Sequence, residues 1–180
     1  METRFNVPQR EEVSSKNQQL FDEMKQAIGL VPNLYATFAY SDHALEAYWK
    51  VENAPTSLSA REVEAVNLVV SQVNQCVYCL SAHRLVAKST GFTEEEVAAL
   101  REGRATDPKL HALAQLAKSI TEHQGHIDPA YVEAFFAAGY SKKNLIDTIM
   151  LIGIRSITNL LHAVTKVPVD FTLAPGLEAI

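Results

Sequence analysis

The amino-acid sequence predicts an all-α fold, and three observations carry that expectation. Capping boxes stand ahead of apolar runs at Ser15 with Gln18, Ser59 with Glu62 and Thr93 with Glu96. Two Asp-Pro pairs, Asp107-Pro108 and Asp128-Pro129, put a cap residue directly before a proline suited to the first helical position. No stretch alternates apolar and polar residues for long enough to require a strand.

Taken in chain order, the first helix opens at Ser15 and ends at Gly29, with Pro32 beyond it. A short turn near "NLYATF" follows, and Ser41 then caps "DHALEAYWKVEN", which stops before Pro55. Ser59 opens "AREVEAVNLVVSQV"; Asn74 and Gln75 break it, and "CVYCLSAHRLVAKST" continues as a new helix to Gly91. Thr93 caps the short "EEEVAAL". The two Asp-Pro pairs open "KLHALAQLAKSITEH" and "AYVEAFFAAG", and Ser141 begins a last long helix to about Lys166. Ser59 and Ser141 each precede a long apolar helix, a faint sign of two weakly repeated halves. The tail "VPVDFTLAPGLEAI" holds two prolines and a glycine, and reads as an irregular arm from about residue 167.

A chain of 180 residues suits one domain with a substantial core, so a single all-helical domain is expected over 1–180. The apolar share of 47% is ordinary for a globular protein and excludes disorder over most of the length. A net charge of -5 argues against nucleic acid or an anionic membrane as the main partner. The most apolar run, "LIDTIMLIGIRSITNLL", carries Asp147 and Arg155, which predicts a buried helix in place of a membrane span. The opening "METRFNVPQREEV" has no apolar core of the kind a signal peptide needs, so a reducing, cytoplasmic setting is expected. In such a setting a close cysteine pair is more often catalytic or metal-binding than a structural staple.

That pair is the centre of the functional reading. "NQCVYCLSAHR" holds the only two cysteines, Cys76 and Cys79, with His83 four residues on. On a helix these three fall within roughly 60° of one another, so they share a face. Cys79 and His83 are one turn apart, within reach of a thiol–imidazole contact, and Cys76 and Cys79 lie within disulfide range. A helix start next to sulfur favours thiolate over thiol. The preceding helix sets Val63, Val66, Val69, Val70 and Val73 on an apolar face, and Glu64, Asn67, Ser71 and Asn74 on a narrow polar stripe. If the two helices pack together, Glu64 reaches His83 and orients its ring, leaving the other nitrogen to take a proton from Cys79.

Other readings of the motif compete with this one. A zinc site needs Cys76 and His83 to meet on one ion although they sit about 10 Å apart along the axis, and no second Cys/His pair helps. No metal and no cofactor is therefore expected. Haem attachment needs a histidine directly after the second cysteine, where Leu80 stands. Two inert buried cysteines beside a solvated Glu64 remain the plain structural alternative.

The order Glu64, eleven residues, Cys76-Val77-Tyr78-Cys79, three residues, His83 resembles the alkylhydroperoxidase D-like branch of the carboxymuconolactone decarboxylase superfamily. The flanking "LVPNLYATFAYSDHALEAY" is also similar to that group, and the likeness spans roughly residues 20 to 165. The resemblance implies a helical bundle that assembles into dimers, trimers or hexamers, and a thiol peroxidase that reduces hydroperoxides through a dithiol/disulfide cycle. It implies Cys79 as the attacking thiolate, Cys76 as its resolving partner, and Glu64 with His83 as the proton relay. The implied partners are a hydroperoxide and a dithiol or lipoyl-type reductant. Some members have a histidine where this chain has Tyr78. Two alternatives stay open: a general disulfide oxidoreductase, and a non-enzymatic redox-sensing helical oligomer.

The remaining candidates read as structural. His123 and His126 suit a helix end, where the dipole favours them. Asn159 and His162 read as core or subunit-contact polar groups, and His43, Tyr48 and Trp49 as packing residues of an amphipathic helix.

Overall fold

The local start and stop signals resolve into helices and no strand among the described residues of the computed structural model, which describes residues 5–177. A 3₁₀ turn at Arg10–Glu12 precedes α1 (Ser15–Ile28), α2 (Asn33–Phe38), α3 (Ala44–Glu52), α4 (Ala60–Val73) and α5 (Val77–Ser89). Then come α6 (Glu94–Arg101), α7 (Pro108–Glu122), α8 (Pro129–Ala137) and α9 (Lys142–Thr165). The capping boxes at Ser59 and Thr93 form with both reciprocal bonds, and Asp107 and Asp128 cap helices that have proline in the first turn.

Two starts differ from expectation. The cap of α1 is Ser14, whose hydroxyl accepts from the Asn17 amide, so Ser15 lies inside the helix and its box with Gln18 does not form. In α3 the cap position falls on His43, while the Ser41 hydroxyl accepts from the His43 and Ala44 amides and tightens the turn before it. The "NLYATF" turn is a helix, α2; its first amide, Asn33 N–H, donates to the Asp170 carboxylate at 2.7 Å, a cap supplied from far along the chain.

The chain groups into two units. The first takes in the chain up to Pro55 together with Leu160–Asp170. Its core joins Val13, Phe21, Met24, Ala36, Ala39 and Leu45, and the Tyr48 ring stacks on Phe38 at 4.6 Å. Asn17 is fully buried and donates to the Ala39 and Ser41 carbonyls at 3.1 Å each, satisfying groups that the α2–α3 turn leaves open. His162 is buried, bonds the Val167 carbonyl at 3.2 Å, and is held toward its neutral form by that burial.

The second unit comprises Thr56–Asn159 and the chain from Phe171. Helix α4 is its axis: Ala65, Val66, Leu68, Val69 and Val70 are fully buried, and α5, α6 and α7 pack around it, with α8 on α7. The polar stripe Glu64, Asn67 and Ser71 is buried as well, so α4 meets protein on every side of its middle. Because this helix places Glu64, its start matters. Ser59→Ala removes one half of the capping box and is expected to cost about 1 kcal/mol, measurable as a lowered urea midpoint at unchanged slope.

Helix α9 departs from the expectation of a buried helix. Thr148, Ile152, Arg155, Thr158 and Asn159 are buried, but the opposite face leaves Ile146, Ile149, Met150, Ile157, Leu160 and Val164 exposed. By length and composition alone this helix is long and apolar enough to cross a membrane. After it the chain has no further α-helix among the described residues, and residues 171–175 are held within the second unit. There Ala174 N–H donates to the Ser81 hydroxyl at 3.0 Å, Arg101 donates to the Pro175 carbonyl at 2.7 Å, and Phe171 meets Tyr78 edge to face.

Candidate active site

A sharp reversal builds the site. Asn74 ends α4, Gln75 takes a left-handed conformation at φ 54°, and the Cys76 amide donates to the Ser71 carbonyl at 2.9 Å. Non-glycine residues adopt that conformation rarely, and here it turns α5 back along α4. Cys76 becomes the cap of α5: its sulfur accepts from the Cys79 amide at 3.3 Å. Both cysteines are free thiols, only 2% and 3% exposed.

The reversal also brings His83 onto Glu64. His83 Nδ1 lies 2.8 Å from the Glu64 Oε2, and both side chains are largely buried. Burial pushes the Glu64 carboxyl up. The charge and hydrogen bond of His83, the Asn67 amide and the Arg155 charge outweigh it, and the net shift is downward. An ionised Glu64 accepts the Nδ1 proton and leaves His83 Nε2 as the nitrogen available for chemistry. The solvated Glu64 of the plain structural alternative is therefore not what the fold contains.

Three residues that the sequence reading did not assign to the site complete it. Asn67 Nδ2 donates to Glu64 Oε1 at 2.9 Å, and Asn67 Oδ1 accepts from Arg155 Nε at 3.0 Å. One turn on, Asn159 Nδ2 meets the Ser71 hydroxyl at 3.4 Å while its Oδ1 accepts from Asn74 at 2.9 Å. Asn159, expected as a core or subunit-contact polar group, is a buried polar group, and it also acts to lower both cysteines.

These contacts divide the two thiols. The neighbouring Cys76 side chain pulls Cys79 down against the opposing cost of burial; Arg155, His83 and Asn159 add to the fall, to about 6. Cys76 is pushed up, first by the neighbouring Cys79 side chain and then by burial. The amide bond of Cys79 to Cys76 works in the other direction and is outweighed. The expected thiol–imidazole contact does not form. Among the described residues no hydrogen bond joins His83 to either sulfur; His83 acts on Cys79 through charge.

Tyr78, the residue between the cysteines, is buried with its ring 5.5 Å from Phe171. Of the other candidates, His123 is the residue that ends α7, its Nδ1 against the Ser119 carbonyl, and His126 is exposed. Among the described residues no group of three or more His, Cys, Asp or Glu side chains is placed to hold a metal ion.

With the geometry in hand, comparison with known proteins gives the class. Residues 40–122, which include all four candidate residues, match the carboxymuconolactone decarboxylase family. The all-helical fold expected from the sequence is that of alkylhydroperoxidase D-like core structures. An uncharacterised peroxidase-related protein from Ralstonia eutropha JMP134, described as an alkylhydroperoxidase AhpD core, superposes with a TM-score of 0.83 at 18% identity, over 93% of this chain and 92% of its own. A second peroxidase-related protein, from Silicibacter sp. TM1040, gives 0.80 at 21% identity, over 96% and 92%. The debrominase Bmp8, solved in a cysteine variant with 2,3,4-tribromopyrrole, gives 0.75 at 19% identity, over 99% and 96%. No curated protein matches the sequence.

Proposed function

We propose that the protein is a thiol peroxidase that reduces a small hydroperoxide with Cys79 and Cys76. The observation that carries this reading is a buried thiol pair with one lowered member, beside a histidine whose Nδ1 is occupied by Glu64. The Cys79 thiolate attacks the terminal peroxide oxygen. An S–O bond forms, the O–O bond breaks, and the departing alkoxide takes a proton from the His83 side of the site, giving the alcohol and Cys79 sulfenic acid. With the Cys79 thiolate gone, Cys76 loses the acceptor that held its proton, and its sulfur displaces water from the sulfenic acid to form the disulfide. An external dithiol restores the pair by thiol–disulfide exchange. In sum, one peroxide and two thiols become alcohol, water and a disulfide.

Burial favours this reading over a general disulfide oxidoreductase. Both sulfurs are almost closed off from solvent, which suits a peroxide and a slender dithiol or lipoyl-type arm better than a protein disulfide. The test treats reduced protein with one equivalent of hydroperoxide. Two thiols per chain are expected to disappear, with a mass loss of about 2 Da and an intramolecular disulfide. The alkylation rate of Cys79 is expected to rise with pH through about 6 and then level off, because the lowered pKa leaves the thiolate above that value. Unchanged thiols after peroxide would overturn the reading.

A further inference from the structure

The turn that delivers Cys76 is under more strain than the turns that end neighbouring helices. At the end of α4 the Gln75 amide donates to the Gln72 carbonyl at 3.0 Å, and the Cys76 amide to the Ser71 carbonyl at 2.9 Å. This paired closure puts one residue in the left-handed conformation, where glycine is usual. The same two bonds end α5, α6 and α8, and there the position holds Gly91, Gly103 and Gly139. Gln75 takes it at φ 54° with an exposed side chain, so its Cβ strains the backbone while the side chain gains little burial.

What holds this turn comes from α9. Asn159 is 2% exposed and reaches two residues of the end of α4. Its Oδ1 accepts from Asn74 Nδ2 at 2.9 Å, one residue before Gln75, and its Nδ2 donates to the Ser71 hydroxyl at 3.4 Å. Ser71 is the residue whose carbonyl takes the Cys76 amide. Beyond the turn the Cys76 sulfur already sits over the start of α5, accepting from the Cys79 amide at 3.3 Å. We propose that Asn159 is a positioning residue for the Cys76–Cys79 pair: by clamping Ser71 and Asn74 it holds the strained Gln75 turn closed and keeps Cys76 where it can bond to Cys79. The inference deepens the dithiol/disulfide reading and rests on it. In the resolving step the S–S bond forms as the S–O bond of Cys79 sulfenic acid breaks, and hydroxide leaves as water with the Cys76 proton. Without the clamp the turn relaxes, and disulfide formation has to restore it.

The test is the equilibrium of the reduced full chain with oxidised dithiothreitol. It needs no peroxide, so failure of the peroxidase reading would show in the peroxide experiment alone. Two protein thiols become a disulfide as the dithiothreitol disulfide is reduced, and the constant measures how well the pair is placed. Asn159→Leu is expected to lower that constant roughly ten-fold, the size expected for lost buried hydrogen bonds. Asn74→Ala, a milder change at an exposed residue, is expected to lower it roughly three-fold, and carries the test if Asn159→Leu does not fold. Adding Gln75→Gly to either variant should raise the constant again, by up to roughly five-fold, because glycine takes the left-handed turn without strain. That recovery separates positioning from the influence of Asn159 on cysteine ionisation, which a change at Gln75 leaves alone. Folded variants with the wild-type constant would overturn the proposal. So would a lowered constant that Gln75→Gly does not raise.

Discussion

Cys79→Ser is expected to leave a folded protein that does not turn over hydroperoxide above the uncatalysed rate, while Cys76→Ser is expected to react once and stop. The asymmetry follows from how the two sulfurs are held. Cys79 carries the lowered pKa, set by the Cys76 thiol, Arg155, His83 and Asn159. Cys76 is the protonated member, and its own replacement by serine keeps a hydroxyl at the helix cap to accept from the Cys79 amide. In the Cys76→Ser protein, peroxide should therefore add one oxygen to Cys79, about 16 Da by mass spectrometry, with no disulfide and no second turnover. Sulfenic acid on Cys76 in the Cys79→Ser protein would reverse the assignment of the two roles.

Arg155→Met is expected to be the most damaging change outside the motif. Arg155 is a buried cation that donates to Asn67, and Asn67 donates in turn to the carboxylate that holds His83. Removing the guanidinium leaves Asn67 Oδ1 without this donor and strips a positive charge from the surroundings of both Glu64 and Cys79. Losing one member of a buried charged network costs about 3 kcal/mol, read from urea unfolding. The alkylation midpoint of Cys79 is also expected to move up from about 6, which a merely structural residue would not cause. Arg155→Lys keeps the charge but not the planar fork, and should restore most of the midpoint and less of the stability. A folded Arg155→Met protein with an unmoved midpoint would show that the charge does not act on the sulfur.

The parts of this site that could be read from the sequence are those that neighbour one another along the chain. Cys76, Cys79 and His83 lie within two helical turns, and Glu64 sits on the adjoining helix, so spacing alone puts them together. Arg155 and Asn159 are 88 positions from their partners Asn67 and Ser71. A signal existed: Arg155 and Asn159, one turn apart in α9, match Asn67 and Ser71, one turn apart in the stripe of α4. It marks a pair of facing stripes, but only the folded chain says which helix faces which.

The same distinction holds for the fold. Boxes and Asp-Pro pairs fix helix starts because they act over three residues. Ser14 and Ser15 offer the same hydroxyl, and only the extended backbone at Ser14 makes it the cap. In α9 apolar residues occur on every side, so no periodicity distinguishes the face toward the cysteines from the bare one.

The closeness of the two sulfurs also bears on how the pair would trade protons against electrons. With Cys79 lowered to about 6, the reduced pair is expected to hold one proton above that pH and the disulfide none, so that reduction takes up a single proton for two electrons. The midpoint potential of such a couple falls by about 30 mV per pH unit, half the slope of an ordinary dithiol. Such a pair would hold its potential steadier than an ordinary dithiol does as the pH of its surroundings drifts.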